Sequence, residues 1–277
     1  MNSDQQKSDL PAIALIGAGS MGGAMLRAWL ETASIDPKNS CVLDPAIDAG
    51  LAEAARAYGL SINPPAAEIN ADFAILAVKP QIAGEVLAPL GHALKNLVIV
   101  SVMAGTSIAN LSIMLDGAQK IIRAMPNLPS LYGAGATGLF AGAGVSAAER
   151  QSVGKVMTSV GSVHWVDDEE AIDFVAAVSG SGPAYFFLLV EAMGDAGVEL
   201  GLPRAMAEAL ARETLIGAGI VLDNDDRSPT KLREMVTSPG GTTAAALGVF
   251  DGDDNAMRDL VKHALRAAVV RAKALSG

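Results

Sequence analysis

The sequence predicts an α/β fold in which an amino-terminal Rossmann-type domain is joined to an all-helical carboxyl-terminal domain. Three observations predict it. Short apolar runs alternate with helical patterns up to about residue 166, a glycine-rich turn directly follows the first run, and after residue 166 only helical patterns remain. A chain of 277 residues can hold two domains. We place them at residues 11–166 and 167–277.

Five short runs read as strands buried on both faces, because they are apolar without alternation. They span residues 12–16, 41–43, 73–78, 97–102 and 120–124. Helical patterns separate these runs, so the expected arrangement is a parallel sheet with right-handed crossovers.

The turn after the first run has the glycine spacing of a dinucleotide-binding loop. Gly17 permits the tight turn, Gly19 lets the backbone approach a pyrophosphate, and Gly22 lets the helix pack closely on the strand. Free amides at the helix start would bind the phosphates. The alternative is a chance glycine-rich turn. The candidate cofactor-binding residues here are Gly17, Ala18, Gly19, Ser20, Met21 and Gly22.

An acidic residue ends the second apolar run. Asp44 lies about twenty residues beyond the loop, where a carboxylate usually accepts hydrogen bonds from the adenosine ribose and repels a 2′-phosphate. This position favours NADH over NADPH as the cofactor. The alternative is an ordinary loop aspartate before Pro45.

The ends of the later runs carry small and polar residues. In open α/β sheets, ligands bind over the carboxyl ends of the strands. Small residues there let a cofactor lie against the backbone, and polar residues can meet its phosphate, ribose or carboxamide. The candidate cofactor-binding residues are Ala77, Val78, Lys79, Pro80, Ala104, Gly105 and Asn127.

The second half consists of helical patterns rich in alanine. They cover residues 169–178, 183–199, 203–222 and 254–275. Residues 186–193 and 264–268 are apolar on every face, which requires burial that so small a domain cannot supply alone. We therefore expect at least a homodimer, and a higher, ring-like oligomer remains open.

Two loops of the helical half stand out. Residues 179–185 place serines and glycines before Pro183, which suits either a helix start or a functional turn. Residues 238–243 place two glycines before two threonines that open a helix. Such a turn offers free amides and hydroxyls to a carboxylate or an imine nitrogen, the alternative being a plain inter-helix turn.

Composition excludes several functional classes. A net charge of −10 disfavours nucleic acid and anionic membranes. Cys41 is the sole cysteine and the three histidines are scattered, so we expect no metal site and no intrachain disulfide. The start lacks a signal-peptide pattern, and the uncharged stretches 124–148 and 174–190 contain Gly and Pro, so no membrane span is expected. We expect a cytoplasmic protein with a small-molecule substrate.

The motifs together resemble the pyrroline-5-carboxylate reductase family, over nearly the whole chain from Ile13. The resemblance rests on the glycine loop and on the segments 78–81, 125–129, 179–185 and 238–243. It implies hydride transfer from NADPH or NADH to the imine carbon of a cyclic imine, giving L-proline. Ser20 and the sequence Leu43-Asp44-Pro45 depart from the family pattern, which bears on the cofactor preference and not on the reaction.

By the same resemblance, Thr243 is the catalytic residue, because it would donate a hydrogen bond to the imine nitrogen. Ser238 and the amides near Gly241 and Thr242 would hold the substrate carboxylate, and Asp226 falls where the family often has an acidic residue near the substrate.

Three alternatives remain at this point. One is a reductase of a related cyclic imine. Another is a β-hydroxyacid dehydrogenase, which needs a lysine acid/base in a glycine-rich helical motif, and Lys231, Lys262 and Lys273 lie in none. The third is a non-catalytic NAD-binding regulator, against which the loop 238–243 argues.

Overall fold

In the computed structural model, which describes residues 10–276, the apolar runs of the first half form one eight-stranded sheet. Its order is β3-β2-β1-β4-β5-β6-β7-β8. The strands are Ile13–Ile16 (β1), Cys41–Leu43 (β2), Ser61–Ile62 (β3), Phe73–Leu76 (β4), Val98–Ser101 (β5), Ile121–Met125 (β6), Gly135–Ala141 (β7) and Gly161–Trp165 (β8).

The five strands predicted from the sequence are confirmed, but the expectation of a purely parallel sheet is wrong. β7 runs antiparallel to β6, with Ile122 opposite Ala141, whereas the remaining pairs are parallel. β3, β7 and β8 were not predicted because none is a continuous apolar run. β3 has only two residues, β7 contains two glycines, and β8 alternates half-buried with exposed positions.

Helices cover both faces of the sheet. They are Ser20–Glu31 (α1), Ala49–Ala57 (α2), Pro80–Leu87 (α3), Gly91–Leu94 (α4), Ile108–Met114 (α5), Ala147–Thr158 (α6) and Ala171–Val175 (α7). One buried cluster joins α1, α2 and α6 to one face, and a second joins α3, α4 and α5 to the other. The fully buried Trp29 donates from Nε1 to the Val156 carbonyl oxygen at 3.0 Å, which ties α1 to α6.

Helical structure alone follows β8. The helices are Gly182–Glu199 (α8), Arg204–Asn224 (α9), Pro229–Met235 (α10), Thr242–Asp251 (α11) and Ala256–Ser276 (α12). α8 and α9 pack closely, since a side chain on Gly197 would lie 3.0 Å from Cβ of Ala207. The predicted class, a Rossmann-type domain followed by a helical domain, is confirmed.

The chain forms two compact units, and the boundary between them lies later in the sequence than the predicted boundary at residue 166. The first unit comprises residues up to Gly180 together with 269–277, and the second comprises residues 181–268. Residues 171–180 group with the sheet because Val175 and Gly180 pack against Gly138 and Met125. The domain limits 11–166 and 167–277 stay a prediction.

Pro183 lies in the first turn of α8, which agrees with the helix start that the sequence suggested at this position. A π-helical turn, Ala176–Gly180, follows α7, and a bend at Ser181 precedes α8. Taken together, the helical residues Ala171–Glu199 are long and apolar enough to cross a membrane. A single such helix is weak evidence, since core helices of soluble proteins pass the same test.

Candidate active site

The carboxyl ends of five parallel strands meet at one edge of the sheet. β2, β1, β4, β5 and β6 are adjacent and parallel, so the residues following them lie side by side. This edge brings together the sequence-predicted cofactor residues of the glycine loop, Asp44, the segment 77–80, Ala104, Gly105 and Asn127.

The glycine loop has the geometry that its spacing predicts. Gly17 has φ +91°, and a side chain there would lie 2.8 Å from the Ala77 carbonyl oxygen. A side chain on Gly22 would overlap the Gly17 carbonyl. By contrast, a side chain on Gly19 would meet no atom within 4 Å. Two glycines are therefore required by packing, and the third leaves open space above the loop.

The first turn of α1 is built to receive an anion. Gly19 is its N-cap, no side chain caps it among the described residues, and its first turn contains no acidic residue. The amides of Ser20, Met21 and Gly22 therefore remain available, and the helix dipole places partial positive charge beside them. A cavity of about 890 Å³ begins at residues 18–20 and continues along the whole of α1 to Thr32. These residues fit a dinucleotide pyrophosphate.

The carboxylate of Asp44 binds the protein backbone. Oδ2 accepts from the Ala18 amide at 2.7 Å, and Oδ1 accepts from the Ala46 amide at 2.8 Å. Asn63, which follows β3, binds the backbone of Asp44. Its Oδ1 accepts from the Asp44 amide at 2.8 Å, and its Nδ2 donates to the Asp44 carbonyl at 3.0 Å. Asp44 thus links the glycine loop to the β2–α2 turn, a contact that sequence spacing did not indicate.

The β4 and β5 ends expose backbone and small side chains at the same edge. Pro80 opens α3 at its first turn, Lys79 is exposed, and the Ala77 amide donates to the Ile16 carbonyl at 2.8 Å. Ala104 is exposed, and Gly105 adopts φ +67° in the β5–α5 turn. The positive φ explains the need for glycine at position 105.

Asn127 is buried and uses both ends of its amide within the first unit. Its Nδ2 donates to the Ser179 carbonyl at 3.1 Å, and its Oδ1 accepts from the Ala136 amide at 2.9 Å. Asn127 therefore joins the end of β6 to β7 and to the π-helical turn. The structure shows no partner within the described residues for the second N–H of its side-chain amide.

The second unit contains the threonine turn, defined as residues 238–243. Gly241 is the N-cap of α11, and no side chain caps this helix in the described part of the chain. Gly240 has φ +70°, and the Gly241 amide donates to the Ser238 carbonyl at 3.0 Å. Thr243 is half-buried in the first helical turn. Uncapped amides and two threonine hydroxyls therefore lie in the first turn of α11.

Asp226 lies in the exposed loop between α9 and α10. Its neighbours Asp225 and Arg227 form an ion pair, with Arg227 Nη2 at 2.5 Å from Asp225 Oδ2. The hydrogen bond from the guanidinium lowers the pKa of Asp225 to about 2. Because Arg227 is engaged by Asp225, the charge of Asp226 is left for other partners.

Sequence reasoning missed a buried charge cluster at β6. Arg123 is 5% exposed and lies within 3.2 Å of Glu169 and 3.7 Å of Asp173. The available signal was an arginine inside an apolar strand, because such a residue needs acidic partners when it is buried.

Two protein-family models match the sequence. Residues 169–275 match the family model described as pyrroline-5-carboxylate reductase dimerisation. Residues 12–105 match the model described as NADP oxidoreductase, coenzyme F420-dependent.

Relatives match over almost the whole chain. The pyrroline-5-carboxylate reductase of Pseudomonas aeruginosa is 41% identical over 269 residues, which are 96% of this chain and 97% of the relative. The Arabidopsis thaliana enzyme of that name is 34% identical over 269 residues, 95% of each chain.

Solved structures agree with this. The pyrroline-5-carboxylate reductase of Coxiella burnetii aligns with a TM-score of 0.88 at 37% identity, covering 97% of this chain and 100% of that one. The Plasmodium falciparum pyrroline carboxylate reductase, solved with NADP bound, aligns with a TM-score of 0.80 at 28% identity, covering 96% and 98%. By its identity to these relatives and their coverage, the chain belongs to the pyrroline-5-carboxylate reductase family.

Proposed function

We propose that this protein reduces 1-pyrroline-5-carboxylate to L-proline with a reduced nicotinamide cofactor. The observation that carries the proposal is the threonine turn, where uncapped amides of α11 lie beside the hydroxyl of Thr243. A substrate with a carboxylate and a ring nitrogen a few bonds apart matches this combination of donors. The names of the relatives agree with it.

The sheet edge is the proposed cofactor site. The amides at the start of α1 would hold the pyrophosphate, and the β2 end would hold the adenosine ribose. The β4, β5 and β6 ends, with Lys79, Ala104 and Asn127, would border the rest of the cofactor. When bound there, the reduced nicotinamide supplies the hydride.

The threonine turn is the proposed substrate site. The protonated imine is already electrophilic, so the protein mainly has to orient it and bind its nitrogen. Thr243 would bind the ring nitrogen, while Ser238 and the amides of Gly241 and Thr242 would hold the carboxylate. Asp226 would add negative charge that favours the protonated imine.

For the cofactor we propose a preference for NADH over NADPH. The support is the charge of Asp44, which is fixed at the β2 end by the amides of Ala18 and Ala46. A 2′-phosphate beside that carboxylate would be repelled.

The second unit is the proposed dimer interface. In the single chain it exposes large apolar side chains on α8 and α9, an arrangement typical of surfaces that are covered by a partner. They include Phe186, Phe187, Leu188, Ile216 and Ile220, each more than half exposed. The dimerisation family model covers these helices. We propose a cytoplasmic homodimer, and a ring of dimers remains the larger candidate assembly.

Steady-state turnover tests the function. Oxidation of NADH and NADPH is followed with 1-pyrroline-5-carboxylate and with a six-membered cyclic imine carboxylate as the ring-size control. We expect proline as the product and the higher kcat/KM for the five-membered ring. Absence of oxidation with either cofactor would refute the proposal, and a preference for the larger ring would reassign the substrate.

A further inference from the structure

Glu169 connects two segments that are distant in the chain. It follows β8, and its Oε1 accepts from the Ile108 amide at 2.8 Å. The same oxygen accepts from Arg123 Nη1 at 3.2 Å. One carboxylate therefore joins the start of α5 to the middle of β6.

The arginine holds this carboxylate in place. Arg123 is 5% exposed, and its second terminal nitrogen lies 3.7 Å from Asp173, which is 7% exposed. The Glu169 side chain is 32% exposed, but the buried guanidinium lies between two carboxylates and fixes their directions. Glu169 is thus a fixed acceptor.

The contact with Ile108 anchors the β5–α5 turn, residues 102–107. At its beginning the turn is held by the sheet, since the Val102 amide donates to the Leu76 carbonyl at 3.0 Å. At its end it is held by Glu169 through Ile108, the first residue of α5. Between these anchors lie Ala104 and Gly105.

The order of the strands assigns this turn to one half of a dinucleotide. β2 and β5 lie on opposite sides of β1, whose loop would bind the pyrophosphate. Asp44 at the β2 end marks the adenosine side, so the β5 end faces the nicotinamide half.

We infer that Glu169 is a positioning residue for the nicotinamide half of the cofactor, acting through the Ile108 amide on Ala104 and Gly105. The inference rests on the cofactor binding put forward under Proposed function. It assigns a role to a residue of the first unit that touches no reacting atom.

Ile108→Pro removes the donor of this contact. Proline is tolerated at the first position of a helix, and the preceding Ser107, at φ −73° and ψ 159°, already has the conformation that a following proline requires. Ile108→Ala is the matched control, because it shortens the side chain and keeps the amide. Glu169→Ala removes the acceptor. Its control is Glu149→Ala, which removes a glutamate that also binds a backbone amide and a lysine, at the other end of β6.

Calorimetric titration compares whole cofactors with fragments that lack nicotinamide, namely NADH with ADP-ribose and NADPH with 2′-phospho-ADP-ribose. We expect Ile108→Pro and Glu169→Ala to raise the Kd of the whole cofactor about tenfold relative to its fragment, since one charge-assisted hydrogen bond is lost. Both controls should keep the wild-type ratio. A merely structural role would change the affinities for cofactor and fragment together.

Unchanged ratios in both test variants would overturn the inference while the wild type still binds both ligands. A wild type that binds neither cofactor nor fragment would instead overturn the proposed cofactor site, and the inference with it. If Glu169→Ala does not fold, Ile108→Pro decides alone, because it leaves the pair between Arg123 and Glu169 intact.

Discussion

Replacing Asp44 with serine separates two effects of its carboxylate. One is structural, because the carboxylate binds the amides of Ala18 and Ala46 at 2.7 and 2.8 Å. The other is electrostatic, because its charge lies where an adenosine 2′-phosphate would be placed. Serine is too short to make both amide contacts and carries no charge.

The two effects differ in how they depend on the cofactor. Losing the amide contacts should loosen the glycine loop, the proposed pyrophosphate site for NADH and NADPH alike, so both affinities should fall by a similar factor. A phosphate about 5 Å from a half-buried carboxylate is repelled by about 1–2 kcal/mol after screening, so removing the charge shifts the preference by about five- to thirtyfold. The ratio of the two kcat/KM values cancels the structural effect.

Asp48→Ser is the matched control. Asp48 also lies after β2, but it caps α2 through the Leu51 amide and pairs with Arg27 at 3.3 Å. Serine is an equally good N-cap, so this variant removes a nearby charge without loss of the cap. We expect Asp44→Ser to raise the NADPH/NADH ratio of kcat/KM and Asp48→Ser to leave it nearly unchanged. Equal ratios in wild type and Asp44→Ser would refute the assignment of Asp44 to cofactor selection.

Three further predictions follow from the structure. Thr243→Ala should lower kcat/KM by about 10- to 100-fold, as expected for a loss of about 1.5–3 kcal/mol. Thr214→Ala should leave kcat/KM unchanged, because the Thr214 hydroxyl binds its own helix. An unchanged kcat/KM in Thr243→Ala would exclude the residue from the mechanism. Gly17→Ala should destabilise the fold by about 2 kcal/mol or more in urea titrations, because Gly17 has a positive φ and no room for a side chain. Gly19→Ala should keep the stability and lose cofactor affinity, because a side chain there meets no protein atom. Equal losses of stability in the two variants would contradict this. The hydrogen bond from its lysine partner is the main cause that lowers the pKa of Glu149 to about 2. The difference in unfolding free energy between wild type and Glu149→Gln should therefore shrink as the pH falls from about 4.5 to about 2. A difference that stays constant over this range would contradict the lowered pKa.

Sequence reasoning was most reliable where one physical cause determines the local structure. The strands β1, β2 and β4 are continuous apolar runs, β5 and β6 are apolar except for one polar residue each, and the bounds of the structure agree with the predicted ones to within two residues. β7 was missed because its glycines at 135 and 138 weaken the strand pattern. Those glycines are needed because side chains there would clash with Ser130 and Val175. That requirement arises from tertiary packing, which no local pattern reports.

The same distinction applies to the candidate site. Spacing correctly predicted that the glycine loop is followed by a helix with free amides, because that geometry is local. It could not predict that Asp44 binds the Ala18 amide, or that Asn127 binds two other segments, because these partners lie elsewhere in the chain. Both carry out structural work that residue type alone does not reveal. A loss of activity on replacing either would therefore not identify a direct ligand, and only a comparison between cofactors, or between cofactor and fragment, separates positioning from contact.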